Sequence, residues 1–261
     1  MNDDKQKVRQ LLAELAKDRV VTAHQLAEML GEDQRHASNV VRSLRSKGLL
    51  LNVQRGVYAS VPLEVSPGNF RPDPVLVVHA VLGQEYAFSH FTALLLHGAE
   101  HNAHRTVHVT KPGVRSRRLM VGNVPVHVHG VSDKNWDLAV TTVKRGRASL
   151  AVTTPERTML DLVGLPPKKQ DYEEVVHAFL GLKQKMSMPD LVAESMLWGN
   201  NTTLARMGHL LSHHASAENG DPFGGKMGEF VALRSPYYFG TQPRNPANKL
   251  DSTFNVVYPG A

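Results

Sequence analysis

The chain has 261 residues, of which 41% are hydrophobic and 21% charged, enough for two modest soluble domains. It contains no cysteine, which excludes disulfide scaffolds, thiol nucleophiles, iron–sulfur clusters and cysteine-bearing zinc fingers. Thirty Lys+Arg against 24 Asp+Glu leave a net charge of +6, too small an excess to be informative until its distribution is known.

The first twenty residues carry charges throughout and lack the apolar core of a signal peptide. No stretch approaches the roughly 18 consecutive apolar residues of a membrane helix. A cytoplasmic protein with no membrane partner is expected.

In chain order, residues 5 to 16 place Val8, Leu11, Leu12 and Leu15 at helical spacing, which predicts an amphipathic first helix. Arg19 to Val21 reads as a short extended piece. Thr22 is the expected N-cap of a second helix whose Leu26, Met29 and Leu30 face inward, and Gly31 closes it. A third helix is expected from about Asp33 to Lys47, ending at Gly48. At 100° per residue, Ala37, Val40, Val41 and Leu44 form its buried stripe. Arg35, Asn39, Arg42 and Ser46 lie opposite, with Ser38 on the flank. Leu49–Val53 and Val57–Ser60 then read as two strands around Gln54-Arg55-Gly56, where glycine supplies the positive φ of a tight turn.

Helix, strand, helix, helix, hairpin is the element order of a winged helix-turn-helix. Gln34 to Gly56 contains Arg35, Arg42, Arg45, Lys47 and Arg55 and no acid, the clustering expected of a nucleic-acid binder. In this reading the third helix enters the major groove, where Arg pairs with guanine edges and Asn with adenine. Arg35, Ser38, Asn39, Arg42, Arg45, Ser46, Lys47 and Arg55 are the candidate DNA contacts, Arg55 reaching a phosphate or the minor groove. The competing reading is a three-helix bundle whose polar face meets only water. The element order, the missing acids and the basic hairpin tip favour DNA.

Ser60 to Pro74 holds four prolines and a glycine in fifteen residues. That density blocks helix and central strand, so a connector is expected at 61–74, between a domain at 1–60 and one at 75–261. The second domain mixes elements, giving an α+β fold overall. Val75 to Leu82 is a helix ended by Gly83, and Glu85 to Phe88 is extended. Ser89 caps a helix ending at Gly98. Thr106–Thr110 and Val124–Val131 alternate as strands, with a turn at Lys111-Pro112-Gly113. Leu138–Val143 and Ala148–Val152 form a hairpin around Lys144 to Arg147. Thr154 with Pro155 is a strong helix start, after which Met159, Leu160 and Val163 face the core. Asp171 starts a helix burying Val175, Val176, Phe179 and Leu180. Asn201 starts another that carries Leu204, Met207, Leu210 and Leu211, and Phe254–Tyr258 is a final strand.

Fourteen histidines raise a metal hypothesis. His97, His101 and His104 are suitably spaced, but Gly98 breaks the helix that would align them. His127 and His129 share a strand face, and His209 and His213 a helical one. None has a carboxylate partner nearby in sequence, so ordinary surface histidine is the favoured reading and no metal or other cofactor is expected. The Pro189-Asp190…Glu194 stretch lacks the lysine of a nuclease, and Phe223 to Lys226 is too short for a phosphate-cradling loop. Arg115, Arg117 and Arg118, in an acid-free run from His101 to Ser132, could form a second nucleic-acid contact together with Lys144, Arg145 and Arg147. A solvated basic loop is the equal alternative. Phosphate contacts there would add affinity without sequence information.

Three segments together resemble a known family. They are Ser89 to Gly98 (SHFTALLLHG), Thr153 to Leu162 (TTPERTMLDL), and the N-terminal module ending in Arg55-Gly56-Val57-Tyr58. In order and spacing they are similar to AbiEi-type antitoxins of type IV abortive-infection toxin–antitoxin systems. Leu250 to Val256 resembles the family's C-terminal strand, with Phe254 where tryptophan is commoner. The resemblance implies that the winged helix binds inverted repeats in its own promoter and represses the operon. It also implies that the C-terminal domain counters a co-encoded nucleotidyltransferase toxin without a stable complex, and that the chain is not an enzyme. Thr154, Glu156, Arg157 and Asp161 fall in the second segment and are its candidates for antitoxin function. As residues alone they read as helix-building: Thr154 the cap, Glu156 favoured by the helix dipole, Arg157 and Asp161 paired at i, i+4. A partner contact by Glu156 or Arg157 is the alternative. Two further functions stay open, a winged-helix regulator sensing a ligand or metal and a DNA-processing enzyme targeted by the winged helix.

Overall fold

A computed structural model describes residues 10–15, 20–132, 134, 136, 137, 139–214 and 235–260. The expected positions Val8, Arg19 and Leu138 and the Phe223 to Lys226 segment lie outside the described residues. The fold is mixed α+β, with helices and several sheets. The chain divides into two compact units: Met1–Ala87, Arg105–Asp133 and Thr142–Ala151 in one, and Phe88–His104, Lys134–Thr141 and Val152–Ala261 in the other. No described helix is long and apolar enough to cross a membrane.

The first unit opens with helical residues 10–15 (α1), then β1 (Val20–Thr22), α2 (Ala23–Leu30), α3 (Gln34–Ser46), β2 (Leu50–Gln54) and β3 (Val57–Ser60). Thr22 caps α2 in a reciprocal box. Its hydroxyl accepts the Gln25 N–H at 3.2 Å, and the Gln25 side chain accepts the Thr22 N–H at 2.8 Å, which satisfies two otherwise orphaned donors. Asp33 caps α3 by accepting the His36 N–H at 2.8 Å. The strands form an antiparallel sheet in the order β1-β3-β2. Gly56, at φ +78°, makes the β2–β3 turn, a conformation that costs a side chain bearing Cβ roughly 1–2 kcal/mol.

Leu11, Leu15, Val21, Leu26, Leu30, Ala37, Val41, Leu44 and Leu50 pack into one core. Met29 is the exception to the expected stripe. The buried side of α2 is centred on Leu26, Ala27 and Leu30, which turns Met29 to its edge, 37% exposed. Val40 packs only partly buried.

The same unit continues with α4 (Pro74–Leu82), β5 (Val107–Pro112), β6 (Arg117–Val121) and β7 (Val124–Val131). Here the expected pair of strands flanking Lys111 to Gly113 is corrected. β5 runs on through Lys111 and Pro112, the turn falls at Gly113, and β6 intervenes. In consequence β5 and β7 run parallel, while β6 lies antiparallel to β7. β6 escaped sequence reading because Arg117 and Arg118 are exposed and only Val121 is buried, so it carries no apolar alternation. β8 (Val140–Arg145) and β9 (Ala148–Thr153) follow as neighbours, with Gly146 at φ +61° between them.

In the second unit, Phe88 of β4 (Ala87–Phe88) lies opposite Val152. Among the described residues the α-helices that follow are α5 (His90–His97), α6 (Pro155–Val163), α7 (Tyr172–Leu182), α8 (Met188–Trp198) and α9 (Asn201–His214). A small sheet of β10 (Tyr237–Tyr238), β11 (Asn248–Asp251) and β12 (Val256–Pro259) in the order β10-β12-β11 closes the chain. Their core joins Phe91, Met159, Leu162, Phe179, Leu182, Leu191, Met207, Leu210, Phe239 and Phe254. The stripe of α7 is Val175, Ala178, Phe179 and Leu182, which leaves Leu180 exposed and Val176 partly buried, against expectation. Ser89 precedes α5 but does not cap it with its side chain; its hydroxyl lies 2.9 Å from His90 Nδ1 instead.

Candidate nucleic-acid interface and buried polar cluster

The exposed face of α3 carries the expected residues. Arg35, Ser38, Asn39, Arg42, Arg45 and Ser46 all face solvent, as do Lys47 just after the helix and Arg55 at the β2–β3 turn. Among the described residues no carboxylate pairs with Arg35, Arg42, Arg45, Lys47 or Arg55, so this cationic face is not neutralised from within. The Ser46 hydroxyl donates to the Ser43 carbonyl of its own helix at 2.9 Å.

The second basic group is divided. Arg145 Nε lies 2.5 Å from Asp73 Oδ2, and Arg147 Nη1 lies 2.5 Å from Glu14 Oε2. Lys144 donates to the Ser149 hydroxyl at 2.6 Å. These side chains tie the β8–β9 turn to α1 and to the start of α4 within the first unit. Arg115, Arg117 and Arg118 are exposed around the start of β6. An open cleft of about 1350 Å³ in this unit is lined by Thr22, Gln25, Arg71, Asp73, Arg145 and Arg147, among others.

In the second unit, Thr154, Glu156, Arg157 and Asp161 are brought together with three residues that sequence reasoning did not connect to them: His90, Ser187 and Glu194. Glu156 and Arg157 are only 6% and 7% exposed. Thr154 Oγ1 accepts the Arg157 N–H at 3.1 Å and donates to the Glu194 carboxylate at 3.2 Å. Glu156 Oε1 accepts the N–H of Ser187, the N-cap of α8, at 2.6 Å. Arg157 Nε donates to Asp161 Oδ1 at 2.8 Å, and His90 Nδ1 lies 4.0 Å from Asp161 Oδ2.

Burial weakens the acids here. Desolvation pushes the Asp161 carboxyl up, with Arg157 opposing. Desolvation, aided by the neighbouring Glu156 charge, brings Glu194 up to about 7. Both patterns belong to charges enclosed by the fold, where an unpaired ion costs several kcal/mol and a paired one fixes geometry. The local spacing of α6 dictated only the Thr154 cap and the Arg157–Asp161 pair. Glu194, forty residues on, arrives by tertiary packing.

The histidines separate by place. His97 Nε2 donates to the Thr153 carbonyl at 2.7 Å, His101 stacks on His177 at 4.2 Å, and His104 pairs with Glu174 at 2.8 Å. The three-histidine spacing therefore does not converge. His127 and His129 share a face with His108, whose Nδ1 lies 2.9 Å from His129 Nε2. His209 corrects the surface reading: it is fully buried, and desolvation pushes it down to about 4.

Compared with known proteins, residues 86–213 match the family described as AbiEi antitoxin C-terminal domain. No curated protein matches the sequence. The fold is similar to that in the crystal structure of the RV2827C protein from Mycobacterium tuberculosis. That similarity has a TM-score of 0.68 at 16% identity, over 97% of this chain and 91% of that one.

Proposed function

With an AbiEi antitoxin C-terminal domain at residues 86–213 as the premise, we propose that this chain is the antitoxin of a type IV toxin–antitoxin system and the repressor of its own operon. The domain match is the observation that carries the antitoxin role. The toxin would be a co-encoded nucleotidyltransferase, countered in the cytoplasm without a stable complex. Residues 1–60 would act as a winged helix-turn-helix, joined through 61–74 to the antitoxin portion at 75–261.

The strand-flanked helices α2 and α3, the β2–β3 wing and the unpaired cations Arg35, Arg42, Arg45 and Arg55 support DNA reading by this module. Inverted repeats in double-stranded DNA are the expected target. Arg115, Arg117 and Arg118 are available for phosphate contacts, whereas Arg145 and Arg147 already hold carboxylates. The role is binding rather than catalysis. Thr154 and Glu156 act by holding α6 against α8, and Arg157 and Asp161 by pairing along α6. The test is growth rescue. Co-expression of this chain should restore growth to cells expressing the neighbouring nucleotidyltransferase gene, and continued arrest at equal expression would remove the antitoxin assignment.

The open cleft supports a second reading, a regulator whose DNA affinity answers a small ligand. A ligand-induced melting shift that also changes operator affinity would favour it.

A further inference from the structure

At the C-terminal end of α9, two histidines one helical turn apart meet an aspartate from the last sheet. His209 is fully buried, and its Nδ1–H donates to Asp251 Oδ2 at 2.7 Å. His213 Nε2–H donates to the same oxygen at 3.2 Å. The ligating atoms of the three residues all lie within 4.8 Å of one another. The carboxylate is aimed by the chain itself, since Asp251 Oδ1 accepts the N–H of Thr253 at 3.0 Å and of Phe254 at 3.4 Å. That leaves Oδ2 turned to the imidazoles. On the far side of His209, the Tyr172 hydroxyl lies 2.9 Å from Nε2.

We propose that His209, His213 and Asp251 form a binding site for Zn2+. Two imidazoles and one carboxylate make a donor set suited to zinc and its late first-row relatives, not to Mg2+ or Ca2+, which take oxygen ligands. The i, i+4 spacing puts both rings on one helical face. Each neutral imidazole presents a lone pair to the ion by moving its proton to the other ring nitrogen. For His209 that proton sits on Nε2 and donates to the Tyr172 hydroxyl, the kind of outer partner that fixes tautomer and ring orientation around a metal. His213 is 47% exposed, which gives the ion a way in and leaves a coordination position for solvent. Bound there, the ion ties α9 to β11 across the 38 residues that separate His213 from Asp251.

The experiment uses the full chain stripped with a chelator, titrated calorimetrically with ZnCl2 beside MgCl2. His213→Ala and Asp251→Asn are run in parallel, each checked for fold by circular dichroism. The wild type should bind Zn2+, show a higher Tm with it, and be indifferent to Mg2+. Each variant should bind one equivalent fewer, or bind that equivalent at least tenfold more weakly, and should lose the Tm rise. Histidines elsewhere, such as His108, His127 and His129, will retain any weak binding of their own in both variants. Unchanged stoichiometry and affinity in the folded variants would overturn the site, as would no Zn2+ binding by the wild type. Should a variant unfold, Co2+ decides on the wild type alone: a visible band of four-coordinate intensity supports the site, and an aquo-like spectrum refutes it.

Discussion

The Thr154 hydroxyl joins two jobs at one atom: it accepts the Arg157 N–H that starts α6, and it donates to Glu194 on α8 at 3.2 Å. A helix cap is thereby coupled to a half-buried carboxyl that titrates near 7. Glu194 has its folded pKa raised above the ordinary carboxyl value of 4.5, first by desolvation and then by Glu156. The folded state therefore holds the proton more tightly than the unfolded one. Stability from this group is greatest below about pH 4.5 and falls as pH rises from 4.5 to about 7. Glu194→Gln should keep the Thr154 bond and remove that fall. In melts across this range, the variant should gain on the wild type as pH rises and level off above about 7. A constant difference would deny the raised pKa.

Arg157 and Asp161 should be far more sensitive than a surface pair. Both side chains are about nine-tenths buried, at 8% and 11% exposure. Removing Asp161 takes from the buried Arg157 its counter-charge at 2.8 Å, so Asp161→Ala should destabilise by about 3–5 kcal/mol. Denaturant titration is the check. A loss below about 1 kcal/mol would mean that the pair behaves as an exposed one.

Gly208 lies mid-helix in α9, where alanine would ordinarily stabilise by about 0.5–1 kcal/mol. A Cβ there would come within 2.4 Å of the Phe254 ring, which is itself fully buried. Gly208→Ala should accordingly destabilise by about 1–3 kcal/mol through overpacking. A higher Tm in the variant would show that the ring yields.

On DNA, Arg42→Ala should cost about 1–3 kcal/mol on the preferred site and relax its base preference. Unchanged affinity on cognate DNA would take Arg42 out of the reading set. Arg55→Ala, at the β2–β3 turn, should instead weaken all sequences alike and lower the salt slope by about one charge. A sequence-selective loss would contradict that role.

Elements governed by local chemistry were legible in the sequence. Thr22, Asp171 and Thr154 each cap the helix their residue type announced, and Gly31 and Gly98 end theirs in the left-handed conformation. Elements governed by neighbours were not. β6 is an exposed strand written as Arg117-Arg118-Leu119-Met120-Val121, with nothing periodic to reveal it. Asp251 gave no sign of its histidines because 42 residues separate it from His209. Glu194 gave no sign of Thr154 because forty residues separate them, until α8 packed it beside the cap. For α3 the exposed face was legible from angle alone. What those side chains bind is a matter of chemistry that periodicity does not carry.

The proposal that α3 and the β2–β3 turn read this chain's own operator is tested most directly by fluorescence anisotropy. DNA from the gene's upstream region would be titrated beside scrambled duplex at two salt concentrations. The account predicts binding at least about a thousandfold tighter to the upstream DNA, with both affinities falling as salt rises. Equal, salt-sensitive binding to the two duplexes would contradict it, leaving a basic protein with no operator of its own.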